Sequence, residues 1–259
     1  MIQLQPTQNN REQWDALAER EGLFYEVLEP SMPLLLGDAA AREAYCAVMR
    51  DGGRVRSLHG AFIGIDPASG DPDLRYLSQR RCRESCALAA RLGARNVVFH
   101  ASSFPFLRGP YLDRWAEVCA EFYQGLTQIW DVDIFVENSA DLDPEPLRAL
   151  MRCIADERIR VCLDLGHANY SRVPLRGWFD ALGGRIGYLH LSDNGGAFDD
   201  HLPLGAGSVD WEEADRLWRG LGREIPLTLE VGGIEGVERS LRYLKERGYF
   251  GTEARDNAR

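Results

Sequence analysis

The sequence predicts a single (β/α)8 barrel spanning residues 1–259, and three observations carry that prediction. Short β-rich runs alternate with amphipathic helical stretches along the whole chain. Several of those runs, VVF (97–99) and IFV (134–136) among them, are continuously apolar, as parallel strands buried on both faces require. The length of 259 residues suits one such barrel, which typically needs about 250. An open doubly wound sheet is the alternative, because strand order is invisible in a sequence.

The elements follow in order. IQLQPT is a weak first strand, and NREQWDALAERE is its helix. LFYEVLEP (23–30) reads as a strand, and AAAREAYCAVMRDGG (39–53) as a helix with a glycine stop. RVRSLHGAF (54–62) is a strand, followed by a long helix over 74–93 that again ends in glycine. ARNVVFHAS (94–102), VDIFVENS (132–139) and IRVCLDLGH (159–167) are strands, with helices over 113–130, 144–158 and 174–184 after them. RIGYLHLSD (185–193) and IPLTLEVGG (225–233) are the last strands, with helices over 209–224 and 236–250. The polar tail 251–259 reads as frayed.

The net charge is -10, which gives no electrostatic help toward nucleic acid or an anionic membrane. It does not exclude a local basic cleft. No apolar run reaches the ~18 residues of a membrane span, and the N-terminus has neither a basic nor an apolar signal region. The six cysteines show no CxxC spacing, so reduced thiols and a cytoplasmic location are expected.

All five histidines, His59, His100, His167, His190 and His201, are expected at strand ends. Active sites of such barrels lie at the C-terminal ends of the strands. Reading those positions collects His59, His100, Glu137, Asp164, His167, His190 and Glu230, with Asp199 and His201 in the loop after the seventh strand. Imidazole and carboxylate together suit Zn or Mn, and also Co, Fe or Mg. Glu137 and Glu230 each follow an apolar run, where an unpaired charge is costly and a metal or an inward arginine would relieve it. Asp193 and Asn194 read as supporting or substrate-binding groups, and Gly205 and Gly207 as a permissive loop over a phosphate or sugar oxygen, with plain turn chemistry equally open. Trp211 is a candidate lid over that loop. No G-x-S-x-G elbow, Walker A loop or dinucleotide fingerprint occurs.

The stretches CLDLGHAN, YLHLSDN and DDHLPLGAGSVDW resemble the xylose isomerase-like TIM-barrel superfamily, which holds both sugar and sugar-phosphate isomerases or epimerases and the family-2 apurinic/apyrimidinic endonucleases. The epimerase branch implies one metal on Glu137, Asp164, His190 and Glu230, with Glu137 and Glu230 as the proton-transfer pair on an enediolate and His167 orienting a substrate hydroxyl. The endonuclease branch implies three zinc ions, adding His59 and His100 on one and His167, Asp199 and His201 on another. The loops 29–38 and 60–73 contain no Arg or Lys, unlike a DNA-gripping surface. The favoured expectation is therefore an isomerase or epimerase of a small sugar, sugar phosphate or keto acid, with the zinc phosphodiesterase as the alternative. Nucleic acid and membrane are not expected partners, and homo-oligomerisation is left open.

Overall fold

The computed structural model describes residues 1–252; the tail 253–259, read above as frayed, lies outside the described residues. Eight strands pair in parallel and in sequence order, and the first closes on the last: β1 (Ile2–Leu4), β2 (Phe24–Val27), β3 (Val55–His59), β4 (Asn96–His100), β5 (Asp133–Glu137), β6 (Ile159–Asp164), β7 (Ile186–Leu191) and β8 (Leu227–Leu229). The closed ring excludes the open-sheet alternative. Ten α-helices are described: α1 (Arg11–Glu21), α2 (Pro33–Leu36), α3 (Ala39–Asp51), α4 (Pro72–Leu92), α5 (Pro110–Ile129), α6 (Glu145–Cys153), α7 (Leu165–Asn169), α8 (Leu175–Leu182), α9 (Trp211–Gly220) and α10 (Gly233–Arg247). None is long and apolar enough to cross a membrane.

Local chemistry sets the boundaries. Gly22, Gly93 and Gly248 end α1, α4 and α10 in the left-handed conformation, which costs glycine nothing. Asp71 caps α4 by accepting from Asp73 N and Leu74 N. β8 is only three residues, shorter than the 225–233 read from sequence, because Pro226 precedes it and the chain turns at Gly232. α6 ends at Cys153 rather than at residue 158: a β-branched residue, Ile154, is extended there and Asp156 binds Arg158 N instead.

The largest departure lies after β6. The run IRVCLDLGH reads as one strand, but the strand stops at Asp164 and Leu165–Asn169 form a short helix. Asp164 is itself the cap, accepting from His167 N at 2.6 Å. Apolar residues continue across the boundary, so hydrophobic pattern alone cannot mark it.

Strand parity positions the site. Along each strand, alternate residues face the barrel interior. Val98, Phe135, Cys162 and Tyr188 pack together as an interior layer. The residue two further along in each case is His100, Glu137, Asp164 or His190. The metal-ligand types therefore occupy the next interior level, at the C-terminal mouth.

Candidate metal centre

Glu137, at the end of β5, is fully buried and stands at the centre of the ligand set. Its Oε2 lies 3.3 Å from His59 Nε2 and 3.6 Å from His100 Nε2. Its Oε1 lies 3.3 Å from His190 Nδ1 and 3.3 Å from His167 Nδ1. The two oxygens thus face different groups of imidazoles. Donor atoms of Glu137, Asp164, His190 and Glu230 all lie within 4.8 Å of one another, and so do those of His59, His100 and Glu137.

Both oxygens of Glu137, Asp164 Oδ2 and His190 Nδ1 are buried and have no hydrogen-bond partner. Buried polar atoms are nearly always paired, and orphaned acceptors this concentrated have a specific cause. The donor set, carboxylate oxygens and imidazole nitrogens converging on one small volume, fits a divalent cation. The charge points the same way. Three buried carboxylates, Glu137, Asp164 and Glu230, crowd the inner cluster. Burial pushes the Asp164 carboxyl up to about 7, with Glu137 and Glu230 adding to the rise. Against its own burial, Glu230 is held at about 2 by His190. Burial drives His100 down to about 4, with His59 and His167 adding to the fall, and leaves a neutral ring suited to coordination.

A third grouping lies further out. Asp199 Oδ2 is 3.2 Å from His167 Nε2 and 3.0 Å from His201 Nε2. His201 has left-handed backbone, φ 46°, and its Nδ1 hydrogen-bonds the Glu230 carbonyl at 2.7 Å. That bond ties the outer histidine to the main chain of an inner ligand. His167 is anchored likewise, Nδ1 to Asn138 O at 2.7 Å. His201 is not at a strand end. It lies in the β7–α9 loop, and only the fold of that loop brings it to the mouth.

Every residue expected from sequence as a metal ligand reaches the mouth. Of the five expected substrate contacts, His167 stands at the mouth, and the other four are engaged with the loop after β7. Asp193 is buried, and its carboxylate accepts from Asn194 N (2.9 Å), Val209 N (3.1 Å), Gly205 N (2.9 Å) and Trp211 Nε1 (2.9 Å). Asn194 donates to Gly166 O and accepts from Asn169 Nδ2 and Gly196 N. Their hydrogen-bonding capacity is spent inside the loop 192–210 and on the residues just after β6. Gly207 is required by close approach: a Cβ there would overlap the Asn194 carbonyl and the Asp193 carboxylate. Gly205, at φ +79°, sits against the Tyr243 ring. These residues build the loop that carries Asp199 and His201. Trp211 is likewise buried, a loop anchor rather than a lid.

Two interior residues lie outside the sequence reading. Glu26, on β2, is fully buried and touches His190 Nε2 at 3.1 Å. Gln5, just past β1, donates to Glu26 Oε1 at 3.0 Å and also to Glu230 Oε1. The rule that finds Glu137, a carboxylate inside an apolar strand, applies equally to Glu26 between Tyr25 and Val27.

A closed parallel barrel with potential metal ligands gathered at its mouth defines a (β/α)8 protein with a candidate metal centre. The sequence profile described as xylose isomerase-like TIM barrel matches residues 24–247, and the chain belongs to that family. A probable endonuclease 4 of Mycobacterium ulcerans is 27% identical over 207 residues, covering 73% of this chain and 77% of that one. The TTHB071 protein of Thermus thermophilus, from crystals soaked with zinc chloride, superposes with a TM-score of 0.76 at 28% identity, over 94% of this chain and 96% of that one. A D-tagatose 3-epimerase-like protein superposes with a TM-score of 0.78 at 22% identity, over 95% and 96% of the two chains, which shows the shared fold.

Proposed function

We propose that this chain is a divalent-metal-dependent phosphoester hydrolase with a carboxylate-bridged, multi-ion centre, zinc being the best match to the donor set. The carrying observation is Glu137, whose Oε2 faces His59 and His100 while its Oε1 faces His190. A carboxylate aimed two ways suits a bridge. The likeness to endonuclease 4 relatives and to a zinc-soaked structure supports the same reading.

Ions held there would polarise phosphoryl oxygens and bring the acidity of a water to near neutrality. The protein's own part is positioning. Asn138 clamps the backbone of Asp164 from both sides, accepting from Asp164 N at 2.8 Å and donating to its carbonyl at 3.0 Å. His167 N holds Oδ1 of Asp164, so Oδ2 is turned toward the cluster. Asp199, about one-third exposed, sits at the entrance. The substrate is inferred to be small. Loops 29–38, 60–73 and 192–210 contain no Arg or Lys, Arg108 is engaged with Asp143 at 2.6 Å, and the loop between α7 and α8 adds the exposed Arg172, so few cations are offered to a long polyanion.

The second reading, a sugar isomerase or epimerase, is favoured by the compact Glu137–Asp164–His190–Glu230 set, which could serve one ion, and by the family's epimerase-type folds. One experiment separates them. Purified protein is analysed for bound metal, then assayed on bis(p-nitrophenyl) phosphate and an abasic-site oligonucleotide, and in D2O with a ketose and ketose-phosphate panel. Two or three ions per chain with phosphoester cleavage support the hydrolase. One ion with deuterium entering a substrate C–H supports the isomerase and overturns the first reading.

A further inference from the structure

We propose that Glu26 is a positioning residue, which fixes the ring and tautomer of His190 so that Nδ1 is presented to the inner metal position, and that Gln5 extends the same hold to Glu230. This rests on the metal-binding part of the reading above and not on the reaction.

Glu26 is a buried carboxylate with neither lysine nor arginine within ion-pair distance among the described residues; His190 is its one basic neighbour there. Neutral donors surround it instead. Its Oε2 accepts from Tyr188 Oη at 2.6 Å and Thr228 Oγ1 at 3.0 Å, and lies 3.1 Å from His190 Nε2. Tyr188 is itself braced, accepting from Gln3 Nε2 at 2.7 Å and lying 3.0 Å from Ser57 Oγ. An ionised carboxylate only accepts, so the proton between Glu26 and His190 belongs to Nε2. In a neutral ring, that leaves the lone pair on Nδ1.

Nδ1 then faces acceptors on its other side. It is 3.3 Å from Glu137 Oε1 and 3.4 Å from Glu230 Oε2, and has no hydrogen bond. A lone pair aimed at two carboxylates is unfavourable unless a proton or a metal cation lies among them. With Nε2–H held by Glu26, Nδ1 is the nitrogen left to face that cation. A carboxylate behind a coordinating histidine fixes its tautomer and strengthens it as a ligand, and losing one typically costs about 10–100-fold in metal affinity. Gln5 donates from one amide nitrogen to Glu26 and to Glu230, so the residue behind the ring and the ligand beside it are set by one side chain.

The test uses full-length protein freed of metal and reloaded with zinc or cobalt(II). Affinity is measured by competition with a chromophoric chelator, alongside the cobalt(II) visible spectrum. Glu26→Gln turns an amide N–H toward one set of donors whichever way it lies. It should keep the ion count but bind about 10–100-fold more weakly, with an altered spectrum. Glu230→Gln, a direct ligand change, should lose the inner ion. In zinc-loaded wild-type protein, long-range proton–nitrogen NMR should find the His190 proton on Nε2, a readout that needs no variant to fold. A proton on Nδ1, or a Glu26→Gln protein with wild-type affinity and spectrum, overturns the proposal. Wild-type protein that binds no ion overturns the metal reading itself.

Discussion

Asp193→Asn perturbs one atom pair and tests the whole account of the loop that carries the outer ligands. Asp193 Oδ1 accepts from Asn194 N and Val209 N, and Oδ2 from Gly205 N and Trp211 Nε1. An asparagine keeps the volume and one acceptor oxygen. Whichever way its amide lies, an NH2 faces two of the four donors. Each buried donor left without a partner costs about 1–3 kcal/mol, so the pair costs about 2–6 kcal/mol before relaxation. That is a large share of the ~5–15 kcal/mol that holds a typical domain together. Equilibrium urea unfolding, followed by tryptophan fluorescence and circular dichroism together, measures it. Asp200→Asn, on the exposed neighbour, is the control and should change stability by no more than about 0.5 kcal/mol. Asp193→Asn should also weaken ion binding at Asp199 and His201 more than at Glu230. A stability loss under about 1 kcal/mol for Asp193→Asn would refute the claim that this carboxylate organises the loop.

Further outcomes follow from the same geometry. Gly207→Ala pushes a methyl into the Asn194 carbonyl and should cost about 1–3 kcal/mol in unfolding experiments, with ion binding at the outer position impaired; a neutral effect would contradict the close approach. In metal-free protein, the hydrogen bond to Asp199 raises His201 to about 9 from an ordinary 6.5. A raised histidine contributes stability in full below 6.5 and loses it as pH climbs through about 9, so thermal stability of chelated protein should fall over that range, and Asp199→Asn should flatten the fall. If both proteins decline alike, the pair is not responsible. Five cysteines are buried and Cys153 is exposed, so a thiol reagent should titrate one group in native protein and six after denaturation. Glu137→Gln should abolish binding at two ion positions at once, read as metal content; loss of a single ion would argue against a bridge.

Much of this is legible in the residues because parallel barrel strands are buried on both faces. A strand such as NVVF announces itself, and the first polar residue after it, His100, must then lie at the mouth. The same logic finds Glu137 and Glu230. It stops working where the apolar pattern continues past a boundary, as at Leu165, where one turn of helix follows β6 and carries His167 out of the strand. Glu26 obeys the same buried-carboxylate rule, but Val27 and Leu28 follow it, so a reading confined to strand ends passes over it. Asp193 and Asn194 lie two and three residues past the end of β7, but proximity in sequence does not reveal where a side chain's lone pairs point. Only the fold shows four donors already aimed at Asp193.

The closure of β1 on β8 gives the centre a temporal consequence. The inner cluster draws on Glu137 from β5, Asp164 from β6, His190 from β7 and Glu230 beyond β8, while Gln5 beside β1 reaches across the seam to Glu230. No nascent chain that stops short of Glu230 contains the set, so an ion could be captured in full only after that residue has left the ribosome. Once captured, it would join β1 and β2, through Gln5 and Glu26, to β8, a late-fitted clasp across the seam of the barrel.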